Sequence, residues 1–181
     1  MKEYHFKIKK DHHYSNCDVF KPIINTGRID KKIMALFSND CIYNETELPS
    51  PGINKLLGFT RIHHQEKIPV FKNFCNSWLI GWKCSLFNKE YKLLFYSYYD
   101  YRGEEFRIPI NTNHGYNFNK PMNITVFERQ DHMSWEISQG MYHDSFTQPI
   151  GLATPKIGYH LWPYFGGKSR APHDMYINLS L

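Results

Sequence analysis

The chain has 181 residues, of which 41% are hydrophobic, 17% aromatic and 22% charged, with a formal net charge of +5. That composition excludes the low-hydrophobicity, high-charge signature of a disordered chain and supplies enough apolar material for a sizeable core. The basic residues gather only at Lys7-Ile8-Lys9-Lys10 and Arg28-Ile29-Asp30-Lys31-Lys32, which speaks against nucleic acid as a partner, since phosphate binding favours a continuous basic stripe.

No apolar run approaches the roughly 20 residues of a membrane-spanning helix. The start, Met1-Lys2-Glu3-Tyr4-His5-Phe6, lacks the apolar segment of a secretory signal. The expectation is therefore no membrane and no export. Length alone fits one domain, residues 1–181. Cys17, Cys41, Cys75 and Cys84 contain no C-x-x-C pair, and without a secretory context they read as buried free thiols.

Strand-like pieces come first, at 4–8 and 33–37. A loop follows over 39–51, closed by Ser50-Pro51-Gly52, and Ile53-Asn54-Lys55-Leu56-Leu57 has one turn of helix-like spacing. Alternation is clearest over 78–87, where Trp78, Ile80, Trp82, Cys84 and Leu86 fall on one face, because successive strand residues point to opposite sides. Asn88-Lys89-Glu90 turns the chain. The run 91–99 is apolar or aromatic on both faces, which implies a central strand with one face on the core and the other on a groove or contact.

Phe106, Ile108 and Ile110 alternate with Glu105, Arg107 and Pro109; a proline cannot donate to a ladder, so this strand belongs at an edge or a bulge. Met122, Ile124 and Val126, a polar turn over 128–131, then Met133, Trp135 and Ile137 describe a hairpin. The stretch 140–155, with its Gly140, Pro149, Gly151 and Pro155, reads as a long surface connection. Pro163-Tyr164-Phe165-Gly166-Gly167 reads as a strand leading into a glycine turn. Met175, Ile177, Leu179 and Leu181 form a last strand. Many short strands and almost no helix predict an all-β chain, an antiparallel β-sandwich or jelly roll of the concanavalin-like kind.

Of the ten histidines, those that attract notice are His12-His13, His63-His64, His160 and His173-Asp174. Neighbours on a strand diverge, so each pair offers one ligand at most to a given metal site. They read as structural. No nucleophile elbow, phosphate loop, H-E-x-x-H or nucleotide-binding glycine fingerprint occurs. No catalytic residue, metal or cofactor is therefore assigned.

The remaining signal is aromatic. Tyr96 and Tyr98 share one face of their strand, and His160, Trp162 and Tyr164 share a face of another. Were these faces to adjoin, they would form a platform able to stack sugar rings, with Arg107 and Lys92 at hand for acidic groups. The candidate ligand-binding set is Tyr96, Tyr98, Arg107, His160, Trp162 and Tyr164. A second core layer, a protein interface and a glycan groove all remain open as readings of these rows.

Five segments carry a family resemblance: Ile53-Asn54-Lys55-Leu56-Leu57-Gly58-Phe59, His63-His64, Ser77-Trp78-Leu79-Ile80-Gly81-Trp82, Leu161-Trp162-Pro163-Tyr164-Phe165-Gly166-Gly167 and Ala171-Pro172-His173-Asp174-Met175. In these the chain resembles a family of small, largely uncharacterised β-sandwich proteins of bacteria and their tailed phages, from about residue 30 onward. The resemblance implies a virion or the cytoplasm of a bacterial host, and protein subunits as partners, either self or particle components. A weaker similarity is to jelly-roll polysaccharide lyases of the alginate-lyase type, through Tyr164-Phe165. It implies Arg107 as the uronate-neutralising group, with His160 and Tyr98 as base and acid. The lyases' Gln-Ile-His motif is absent, Arg61 standing before Ile62-His63.

The leading expectation is a non-enzymatic structural or interaction module, a phage virion component that binds neighbouring subunits. The alternatives are a carbohydrate-binding domain with a glycan partner and, behind it, a polysaccharide lyase.

Overall fold

The structure is a computed structural model that describes residues 2–16, 21–25, 30–61, 75–101, 104–111, 114–129, 132–149 and 156–181. Within these, only the backbone is described at 21–25, 59–61, 75–77, 100–101, 104–105 and 156–160. His63-His64 and Cys17 lie outside the described residues, as do the side chains of Cys75 and His160.

Twelve described strands form two six-stranded antiparallel sheets packed as a β-sandwich of the jelly-roll kind. One sheet runs β1 (Glu3–Ile8), β12 (Met175–Ser180), β3 (Asp30–Phe37), β8 (Met122–Glu128), β9 (His132–Gln139), β10 (Tyr142–Pro149). The other runs β2 (Lys21–Asn25), β11 (Lys156–Leu161), β4 (Asn54–Arg61), β5 (Cys75–Phe87), β6 (Glu90–Tyr101), β7 (Glu104–Pro109). The only helical turns among the described residues are short 3₁₀ pieces at Asn39–Cys41 and Glu45–Glu47. Among the described residues no helix is long and apolar enough to cross a membrane.

Alternation builds the core. Trp78, Ile80, Trp82 and Cys84 of β5 and Leu93, Phe95 and Tyr99 of β6 face Phe6, Phe37, Ile124, Trp135 and Ile177 of the opposite sheet in one buried cluster. Trp82 meets Phe37 edge-on at 5.1 Å and Trp78 meets Trp135 at 5.7 Å, separations at which ring quadrupoles add to the hydrophobic gain. Cys41 and Cys84 are buried free thiols. Phe87 pairs with Glu90 across the two-residue turn Asn88-Lys89, whose φ values of 47° and 69° mark the left-handed geometry that matches strand twist. Pro109 ends β7, an edge strand, where the missing donor costs no ladder bond.

Three local expectations change. The segment at 53–57 opens strand β4, with a bulge between Lys55 and Leu57 that buries both Leu56 and Leu57; a bulge mimics one helical turn in sequence because it breaks the period of two. The stretch after Gly140 is no simple connection, since β10 pairs with β9 along its length. Its residues, Tyr-His-Asp-Ser-Phe-Thr-Gln-Pro, are mostly exposed on an edge, so no apolar alternation betrays them. Finally, β11 ends at Leu161, and residues 162–174 continue without regular strand.

Candidate functional site

The outer face of the second sheet is set by register, because residues paired across antiparallel strands lie on the same side. One row crosses five strands as Leu161, Gly58, Leu79, Tyr98 and Arg107. The next begins at Tyr164, which bridges Lys55 through two backbone hydrogen bonds of 2.9 and 3.1 Å, and continues through Gly81, Tyr96 and Pro109.

Leu79 and Leu161 form a buried pair on this face, with Tyr98 and Tyr164 packed against it. Gly58 packs closely beneath them: a Cβ there would lie 2.3 Å from the Trp78 carbonyl oxygen and 2.4 Å from a Leu79 methyl. Beside this apolar pair two cations, one buried and one exposed, share one ring. The Lys55 ammonium sits 3.8 Å from the Tyr98 ring centre and the Arg107 guanidinium 5.5 Å from it. Both distances fall within the range of cation–π attraction. Lys55 is 7% exposed while Arg107 is open to solvent. Burial, and next the Glu45 carboxylate, raise the Tyr96 pKa above the ordinary phenol value, so its hydroxyl stays protonated.

Of the six sequence candidates, the structure brings Tyr96, Tyr98, Arg107 and Tyr164 together. Trp162 is elsewhere. Just past the end of β11, it packs on Tyr4 and Phe6 at 5.1 and 5.2 Å, against the main core, so Trp162 and Tyr164 do not share a face. His160 stands opposite Phe59 in the register, in the row that continues to Trp78, Tyr99 and Phe106, whereas Leu161 takes the outer-face position. Lys92 lies away from the pair of cations, near the β5–β6 turn, bound to Glu90 and Asn117 at 2.6 Å each.

Sequence reasoning missed Lys55, Leu79 and Leu161. The signal for Lys55 was a charged residue inside an apolar run, which as a strand position points away from the core and as a helical turn points nowhere in particular. His173 and Asp174 hold the fold: His173 donates to the Asp40 carbonyl at 2.8 Å, and Asp174 accepts from the Lys10 backbone and pairs with Lys7 at 2.6 Å. Among the described residues no three His, Cys, Asp or Glu side chains converge as metal ligands.

Solved structures that resemble this chain include the following two. An alginate lyase from Klebsiella pneumoniae matches with a TM-score of 0.45 and 11% identity over 84% of this chain and 58% of that one. The CBM2 module of the Lactobacillus casei BL23 phage J-1 evolved Dit matches with a TM-score of 0.41 and 12% identity over 97% of this chain and 68% of that one. No family model and no curated protein matches the sequence.

Proposed function

We propose that this protein binds an acidic polysaccharide of the uronate class along the outer face of the β11-β4-β5-β6-β7 sheet. The observation that carries the reading is the pair of cations, Lys55 and Arg107, held on the single ring of Tyr98 beside the buried apolar pair. A uronate ring presents an apolar C–H face and a carboxylate. Tyr96 and Tyr164 supply aromatic surface for the first, and the solvent-open Arg107 supplies charge for the second, with the buried Lys55 adding its field from beneath the Tyr98 ring.

Binding fits the geometry better than lyase chemistry. Lys55 lies over the π face of Tyr98, where it steadies the ring as a surface for stacking.

The test is gel retardation in matrices containing polyuronate or an uncharged glucan, for the native chain and for Tyr98→Ala. Retardation by the polyuronate alone, weakening as salt rises and falling about tenfold in the variant, about 1.4 kcal/mol, is the expected result. Equal retardation of native and variant chains removes Tyr98 from the account. Formation of unsaturated product during the same incubation makes the face catalytic.

A further inference from the structure

A second, separate site lies at one end of the sandwich, where the β5–β6 turn approaches the start of β10. A pocket of about 250 Å³ is lined there by Asn88, Glu90, Lys92, His114, Asn117 and Tyr142, among others. We propose that it takes one neutral sugar ring.

The walls are built and braced. Asp144 Oδ2 accepts from the buried Tyr116 hydroxyl at 2.6 Å and approaches His114 Nε2 to 2.9 Å without a hydrogen-bonding angle. Tyr142 stacks on that imidazole at 4.5 Å with the planes 16° apart, and stays 40% exposed. The opposite wall is fixed. The Asn117 backbone donates to Gln139 at 2.7 Å and accepts from it at 3.0 Å. Gly115 presses on Lys92, a Cβ there falling 2.2 Å from the Lys92 Cβ.

Charge and size choose the ligand. Lys92 is neutralised by Glu90 at 2.6 Å and also bonds Asn117 at 2.6 Å, which uses two of its three hydrogens and leaves one donor. Glu90 keeps lone pairs to accept, and the Asn88 and Asn117 amides do both. Hydroxyls that each donate and accept suit this mixture, whereas an anion gains little from a cancelled charge pair. The exposed Tyr142 ring suits the C–H face of a pyranose. The volume lies below the roughly 300–1,000 Å³ of drug-sized sites, so one ring fits and a chain extends out of it. This reading does not depend on the outer-face proposal.

Saturation-transfer NMR of the full chain with the methyl glycosides of glucose, galactose and mannose tests it, using Tyr142→Ala and Glu90→Gln, both at exposed side chains, with Tyr98→Ala alongside. The expected result is transfer to the ring C–H protons of at least one glycoside, weakened about tenfold in apparent affinity by each of the first two variants and unchanged by Tyr98→Ala. No transfer to any of the three glycosides overturns the proposal. So does transfer that survives both end-site variants, or that vanishes only in Tyr98→Ala.

Discussion

Replacing Asn54 by alanine tests the link between fold and face, because this one side chain holds three segments. It is fully buried; its amide nitrogen donates to the Tyr43 hydroxyl at 2.8 Å, and its oxygen accepts from the Gly166 backbone N–H at 2.9 Å. Gly166 packs directly on the neighbouring backbone, where a Cβ would lie 1.9 Å from the Ile53 carbonyl oxygen. Asn54→Ala leaves two buried polar groups without this partner, at about 1–3 kcal/mol each, so the expected loss is about 4 kcal/mol. At about 2–4 °C per kcal/mol for a chain of this size, the midpoint falls by about 8–16 °C.

Tyr43→Phe, which strands the Asn54 amide and also removes the hydroxyl from the Cys84 backbone, costs about 1–3 kcal/mol for each group left unpaired, and the double variant shows coupling because the two residues share one bond. Urea unfolding with an unchanged slope is the assay. The segment that Gly166 anchors also carries Tyr164, so polyuronate affinity falls in Asn54→Ala as well. A loss below about 1 kcal/mol, or additive single variants, refutes the reasoning.

Lys89 occupies a left-handed position with φ of 69° after Asn88, so Lys89→Gly, which completes the preferred Asn-Gly turn, raises stability by about 1 kcal/mol; an unchanged thermal midpoint contradicts this. Asp174 has its pKa lowered, first by its bond with Lys7 and then by the Lys10 backbone N–H. Its stabilisation is therefore present above the unfolded carboxylate value and lost as pH falls through the folded one, so Asp174→Asn flattens the acid limb of the stability profile. Lys7, raised chiefly by the same bond, loses its share as pH climbs through its folded value. Burial pushes the Cys41 thiol up to about 12 and the Cys84 thiol up to about 11. Both should escape alkylation at neutral pH until urea is added, as read peptide by peptide in a mass spectrometer.

Legibility in the sequence followed the contrast between the two faces of each strand. The strands β5, β8, β9 and β12 announce themselves because one face is apolar core and the other polar. In contrast, β10 escapes this test because its inward row is Asp144, Phe146 and the buried Gln148, with one apolar residue to mark it, and the bulge in β4 disguises a strand as a helical turn. Tyr96 and Tyr98 could be assigned to a common face from spacing alone, while which strands adjoin them could not, since alternation says nothing about neighbours. Lys55 enters the site only through that pairing. Trp162 left the expected group for a simpler reason: the strand that would have aligned it with Tyr164 stops at Leu161.

The central claim is that Arg107, held with Lys55 on the Tyr98 ring, recognises carboxylates on a glycan. Calorimetric titration of an oligouronate, and of the same oligosaccharide with its carboxylates reduced to alcohols, tests it most directly on the native chain and Arg107→Ala. The account predicts at least about tenfold tighter binding of the acid form to the native chain, with that preference largely lost in Arg107→Ala. Equal affinity for both forms, or a preference for the acid that Arg107→Ala leaves intact, contradicts it.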